Sequence, residues 1–217
     1  HPRVRRQRQM CIRDRSITVI RRSKMKRIIT ISREFGAGGG SIGSAVAKKL
    51  GFEYYDKEII LKAAGKSNMD IDRVMKWDEK VPSNFGFAQS LFDFYNRPQG
   101  EKLYAAQEAI IREIGEKGKC VIVGRNANTI LKNFEDSLHV FVYADPYWRM
   151  EHMKAKMPDM TEAKISEEMH TIDRARKKFC SYYTNTEFGV ADYYDICLNA
   201  SALGIDNCID VLYQLCK

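Results

Sequence analysis

The stretch with the most chemistry in it is Ile31-Ser32-Arg33-Glu34-Phe35-Gly36-Ala37-Gly38-Gly39-Gly40-Ser41-Ile42-Gly43. An apolar run enters it and a helical pattern leaves it. Gly36, Gly38, Gly39 and Gly40 allow a tight turn with N–H groups pointing inward, and a following helix adds its positive end. Residues Gly36, Ala37, Gly38, Gly39, Gly40 and Ser41 therefore read as a phosphate cradle. The loop departs from the usual GxxxxGK[ST] pattern. Ser41 stands at the Ser/Thr, whose hydroxyl ligates Mg²⁺, and Gly39 at the second glycine. Gly40 falls where the lysine belongs and Glu34 where the first glycine belongs. That lysine normally contacts the β- and γ-phosphates. Arg33 and Lys48 are the nearby cations available to replace it.

Other residues suit the same chemistry. Phosphoryl transfer needs positioning and neutralised charge more than a nucleophile, and arginine grips phosphate with a two-pronged fork. Arg125 follows directly on an apolar run, between Gly124 and Asn126. A surface arginine paired with Asp56 or Asp145 is the competing reading. Arg174, Arg176, Lys177 and Lys178 form a cationic cluster after the acidic run 162–168. Taken alone, that cluster also fits a solvated helix with i,i+4 pairs. Glu34 and Asp56 are carboxylates that could ligate Mg²⁺ through water, although a loop acid is more often simply solvated. The aromatics Trp77, Phe85, Phe87, Phe92, Phe94 and Tyr95 suit the core of a small subdomain better than a base-stacking site. His139 and His152 read as structural, and Asp145-Pro146 as the start of a helix.

The elements that must position these groups alternate. Strands are expected at 27–32, 52–55, 119–124, 138–143 and 194–199. Helices are expected at 42–50, 57–66, 101–117, 147–156, 161–183 and 205–216, with less regular helical pieces across 68–100. Five apolar strands separated by helices predict an α/β fold, a mainly parallel five-stranded sheet covered on both faces. Ligands of such sheets sit beyond the strand C-terminal ends.

The run Ile31–Gly39 with Ile42-Gly43, followed by Tyr54-Tyr55-Asp56-Lys57-Glu58, resembles the cytidylate kinase-like family of P-loop proteins. The resemblance extends from Met25 to the C-terminus and is weak over 68–100. It implies a three-layer P-loop nucleoside monophosphate kinase fold, with an acceptor-binding insertion near 57–100 and a lid near 157–190. Altered phosphate loops are common in the family. Asp56-Lys57 falls at the nucleoside monophosphate site, where relatives carry Asp-Ser, so the serine contact is lost. Gly124-Arg125-Asn126 resembles the turn whose arginine grips the acceptor phosphate and whose next residue lies near the sugar. Asp173-Arg174-Ala175-Arg176 resembles the lid segment. There an aspartate contacts the acceptor nucleotide and arginines neutralise the transferring group. Tyr182-Tyr183-Thr184, Tyr194-Asp195 and Leu198-Asn199-Ala200-Ser201 complete the likeness.

Composition narrows the remaining classes. The chain has 217 residues, 44% hydrophobic, which suits one domain with a substantial core. Its formal net charge is +8. Residues 1–24 hold nine basic side chains against one acid, so residues 25–217 are neutral. The basic leader has the composition of translated sequencing adapter, and translation starting at Met25 is the expected reading. A nucleic-acid-binding arm competes with it, and a secretory signal lacks its apolar stretch. The six cysteines form no CxxC pair, so reduced buried thiols in a cytoplasmic protein are expected.

The expected function is ATP- and Mg²⁺-dependent phosphoryl transfer to a nucleoside monophosphate, most plausibly CMP or dCMP. Arg33, Arg174 and Arg176 are the expected catalytic cations. Asp56, Lys57, Arg125, Asn126 and Asp173 are expected at the substrate, and Ser41 at the metal. A kinase for another small acceptor and a nucleotide sensor without turnover are the alternatives. The expected partners are small nucleotides, without membrane or nucleic acid, for a monomer or homodimer.

Overall fold

The computed structural model describes residues 25–56 and 100–217. Lys57, and all but the last residue of the insertion expected near 57–100, lie outside the described residues. The order is β1 (Ile28–Arg33), α1 (Gly39–Leu50), β2 (Glu53–Tyr55), α2 (Gly100–Lys117), β3 (Cys120–Val123) and α3 (Ala127–Ile130). It continues with β4 (Ser137–Tyr143), α4 (Pro146–Lys156), α5 (Glu162–Thr184), β5 (Ile196–Asn199), α6 (Ala200–Leu203) and α7 (Ile205–Cys216).

The five strands form one parallel sheet in the order β2-β3-β1-β4-β5. Every strand pairs in parallel because a helix-containing connection returns the chain to the same edge. The sheet is buried on both faces, which is why the strands read as continuous apolar runs rather than alternating ones. Ile28 and Ile122 face a layer built from Leu103, Ile110, Ile111 and Ile114 of α2 with Ile130 and Leu131. Ile29, Ile31, Val121, Val123, Val140 and Val142 face Ile42 and Val46 of α1 and Cys208 and Leu212 of α7.

β1 lies between β3 and β4, so the chain crosses over it in going from one to the other. The loops leaving β1, β3 and β4 diverge there and open a crevice at the C-terminal edge, where such sheets hold ligands. The loops are tied by backbone bonds: Gly124 N–H donates to Ile31 O at 2.9 Å, and Glu34 N–H to Val142 O at 3.0 Å.

The short helices α3 and α6 are additions to the sequence expectation, and α1 begins three residues earlier than its apolar spacing suggests. His139 is structural, as expected. It is buried between Thr30 and Ser137, whose hydroxyls meet its two ring nitrogens at 2.8 and 3.0 Å. Cys120, Cys180, Cys208 and Cys216 are buried free thiols, and Cys197 is half-buried.

Candidate active site

The phosphate loop is shaped by where its side chains are absent. Gly38 caps α1 in the left-handed region (φ +82°) and supplies no side-chain bond to the helix start. The first N–H groups of α1 therefore remain open toward the loop, at the positive end of the helix. Gly39 is required for space: a Cβ there would lie 2.6 Å from Arg33 Cβ. The helix start thus rests directly on the last residue of β1.

The loop encloses a small cavity of about 160 Å³, lined by Gly36, Gly38, Gly39, Gly40 and Ser41. Arg33, Arg176, His152 and Lys156, with Glu34, Phe35 and Met153, complete its wall. Its shape and donors fit a chain of phosphates: open backbone N–H groups, one hydroxyl and several cations. Ser41 is the hydroxyl available to a phosphate-bound Mg²⁺, an ion that takes most of its ligands from phosphate and water. Among the described residues, no three His, Cys, Asp or Glu side chains converge as a metal-ligand group.

Two elements clamp the loop from outside. α4 starts as expected, with Asp145 Oδ1 accepting from the N–H groups of Tyr147 and Trp148 and Pro146 in the first turn. From α4, buried Arg149 donates to Phe35 O at 3.1 Å and to Asp173 Oδ2 at 2.6 Å. His152 Nδ1 meets Gly36 O at 2.7 Å. From α5, Asp173 Oδ1 accepts the Phe35 N–H at 2.8 Å. Phe35 itself is buried among Met153, Ile165, Met169 and Ile172. The loop is thus fixed by two of its carbonyls and one N–H.

This arrangement changes several expectations. Asp173, placed by the resemblance at the acceptor nucleotide, binds Phe35 and Arg149 and holds the loop. Glu34, a candidate metal carboxylate, accepts from Ala144 N–H at 3.2 Å and lies 3.7 Å from Arg149 Nε. Lys48 sits in the last turn of α1, about 13 Å along the axis from its start at 1.5 Å per residue, too far to replace the loop lysine. Arg33 turns its guanidinium toward the ends of β2 and β3, where it meets Asp56 at 3.5 Å. Arg149 and Lys156 are residues at the loop that the sequence did not single out, and His152, read there as structural, both holds Gly36 O and lines the cavity.

Other expected residues do converge. Arg176 Nη1 donates to Arg33 O at 2.8 Å. Burial first, and then the positive charge of Arg33, push the Arg176 guanidinium down to about 9, with Arg125 acting in the same direction and Asp173 and Asp56 opposing it. It remains cationic at neutral pH. Arg33, Asp56, Arg125 and Asp173 therefore all act on Arg176. Arg174 is exposed and does not line the cavity.

Gly124, Arg125 and Asn126 hold three consecutive left-handed conformations, with φ of +78°, +61° and +54°. Two of the three carry side chains, a costly arrangement that marks functional turns. It sends the chain sharply from β3 into α3. Gln107 donates to Arg125 O at 3.4 Å, and Asn126 is buried next to the Tyr104 hydroxyl, with no well-formed hydrogen bond to its Nδ2 among the described residues. Such a buried donor beside an arginine at a strand C-terminus is suited to a polar ligand.

Comparison with solved structures places the fold. A crystal structure of an uncharacterized protein from Eubacterium ventriosum ATCC 27560 is 22% identical, with a TM-score of 0.65 over 87% of this chain and 97% of that one. A shikimate kinase from Bacteroides thetaiotaomicron is 15% identical, with a TM-score of 0.51 over 87% of this chain and 97% of its own. A gluconokinase from Sinorhizobium meliloti 1021 is 13% identical, with a TM-score of 0.50 over 89% and 95%. No curated protein matches the chain. The fold is that of P-loop kinases, including the five-stranded parallel sheet and the crevice beside β1. The family model described as the cytidylate kinase-like family matches residues 28–202, from the first strand through the last one and into α6. With its glycine-built loop, its Gly-Arg-Asn turn and this match over most of its length, the chain belongs to the cytidylate kinase-like family.

Proposed function

We propose that this protein transfers the terminal phosphoryl group of ATP to a nucleoside monophosphate, with CMP or dCMP as the acceptor. The observation that carries this reading is the cavity at the open, glycine-built start of α1, walled by Arg33 and Arg176, with Arg176 bonded to the Arg33 carbonyl and acted on by Arg125. Cations gathered around open backbone N–H groups suit a bound anion.

In this reading the N–H groups of the 36–41 loop hold the donor phosphates. Ser41 ligates Mg²⁺, which when bound aligns the β- and γ-phosphoryl oxygens and neutralises part of their charge. Arg125 grips the acceptor phosphate, and the Asn126 amide donates to the acceptor nucleoside. Asp56 holds Arg33 toward the acceptor side. Arg176 supplies positive charge at the transferring group, and Arg174 joins it when the 157–190 segment closes as a lid. Asp173 is a positioning residue for the loop. Lys57 stands in sequence where the family carries its acceptor-site serine.

The reading is tested by ADP formation with Mg²⁺-ATP and a panel of CMP, dCMP, UMP, AMP and GMP. ADP release that depends on CMP or dCMP, and that falls at least 10²-fold in Arg125→Ala, is the expected result; about that loss follows removal of one charge-stabilising donor. ATP binding without turnover on any acceptor would overturn it.

A further inference from the structure

Gly40 occupies the position where the usual phosphate loop carries its lysine, yet a lysine does stand at this loop. Lys156, the last residue of α4, donates from Nζ to Ser41 Oγ at 3.2 Å. It lies in the cavity wall with Gly36–Ser41, 115 positions away in sequence. Lys154, two residues earlier on the same helix, turns the other way and pairs with Glu162 of α5. The difference follows from how α4 is docked. His152 and Arg149 fix its inner face to the carbonyls of Gly36 and Phe35, and Met153 packs where a Gly36 side chain would lie. One turn after His152, the chain places Lys156 at the loop mouth.

We infer that Lys156 supplies from α4 the β,γ-phosphate contact that the loop lost at position 40, an inference that rests on the phosphotransfer reading above. The serine hydroxyl of such a loop sits on the metal, beside the β- and γ-phosphates, so a cation hydrogen-bonded to it stands at the corner of the cradle that the usual lysine fills. With Ser41 given to a metal, the Lys156 ammonium would leave the hydroxyl for the adjacent phosphoryl oxygens, drawn by their charge. Its stem is flexible and its three donors are rotatable, so this needs no backbone movement. Because the lysine belongs to the helix entering the 157–190 segment, the cradle gains its full charge only while α4 is docked on the loop. An in-loop lysine carries no such dependence.

The structure also supplies the control. Gly40 has no left-handed φ, and among the described residues a Cβ there would meet the Tyr54 hydroxyl at 3.7 Å, an ordinary contact. Gly40→Lys should therefore be accepted, restoring a lysine to the usual position.

Calorimetric binding of a non-hydrolysable ATP analogue and of AMP is compared in the full-length wild type, Lys156→Gln and Lys156→Gln/Gly40→Lys, alongside ADP formation. Lys156→Gln is expected to weaken the triphosphate analogue at least 10-fold with AMP binding unchanged, and to lower kcat/KM for ATP about 10²-fold, the usual cost of a lost transition-state donor. Adding Gly40→Lys should recover at least 10-fold of each. Wild-type triphosphate affinity in Lys156→Gln, or a loss that Gly40→Lys does not repair, overturns the inference. A wild-type protein that binds the analogue but never forms ADP overturns the phosphotransfer reading, and the binding comparison alone then decides Lys156.

Discussion

Asp173 of α5 and Arg149 of α4 meet at 2.6 Å behind the phosphate loop, and both also bind the backbone of Phe35. One accepts its N–H and the other donates to its carbonyl. A single loop residue is thereby held on both its peptide groups by a charge pair from two separate helices. Loop, α4 and the middle of α5 are fastened together at this point. Removing one partner leaves a largely buried charge without its counter-ion.

Arg149→Ala should therefore destabilise the protein by about 3 kcal/mol, the cost of breaking a buried pair from one side. It should also weaken nucleotide binding, because the loop loses its anchor. Urea unfolding and calorimetric titration of the variant measure the two effects. Stability within about 0.5 kcal/mol of wild type would show the clamp to be incidental.

The glycines at 39 and 40 should behave oppositely. Gly39→Ala drives a Cβ into Arg33 and should cost about 1–3 kcal/mol, as overpacking does. Gly40→Ala makes only an ordinary contact with the Tyr54 hydroxyl at a helix start and should be neutral or stabilise by up to about 1 kcal/mol through helix propensity. Chemical unfolding of both single variants checks the contrast. Equal effects would contradict the packing described for the loop.

The cations at the sheet edge predict a response to a simple anion. Inorganic pyrophosphate should raise the melting temperature in a concentration-dependent way, since a ligand that binds only the folded state stabilises it by mass action. Arg176→Ala should remove most of that gain. Differential scanning fluorimetry with pyrophosphate, and with sulfate as a control for general salt effects, makes the comparison. A shift that persists in Arg176→Ala would place the anion elsewhere.

His139 predicts a pH dependence of stability unrelated to activity. Ser137 Oγ donates to Phe134 O, so it accepts from His139 Nε2–H, while Nδ1 accepts from Thr30. The ring is thus bonded in its neutral form, and burial lowers it below its ordinary value of 6.5. The unfolded chain takes up a proton near 6.5 when the folded chain does not. Stability is then full above that pH and declines as pH falls toward the depressed folded value. Thermal unfolding at pH 7.5 and 5.5 should show this decline, and His139→Gln should flatten it. An unchanged slope in the variant would assign the decline to other groups.

The legible parts of the molecule were those written in consecutive residues. Val121–Val123 and Val140–Val142 read as buried strands because both faces of the sheet are covered. Asp145-Pro146 announced α4 through its cap, and Gly36–Ser41 announced the loop. The four-residue helices α3 and α6 were not legible, since one turn has no period to detect. Arg149 and Lys156 were hidden for a different reason: nothing in Trp148-Arg149-Met150 or Ala155-Lys156-Met157 differs from an ordinary charged helix. Their roles come from packing against residues more than 110 positions away. Asp173 was singled out, but its partners were not, so its place behind the loop emerged only from the fold.

The central claim is tested most directly by following the phosphorus itself. The full-length protein is incubated with Mg²⁺ and γ-labelled ATP in the presence of CMP, and the labelled products are separated. The account predicts label in CDP, absent without acceptor and strongly reduced in Arg125→Ala. Label that remains in ATP, or leaves only as inorganic phosphate whatever acceptor is present, would contradict it.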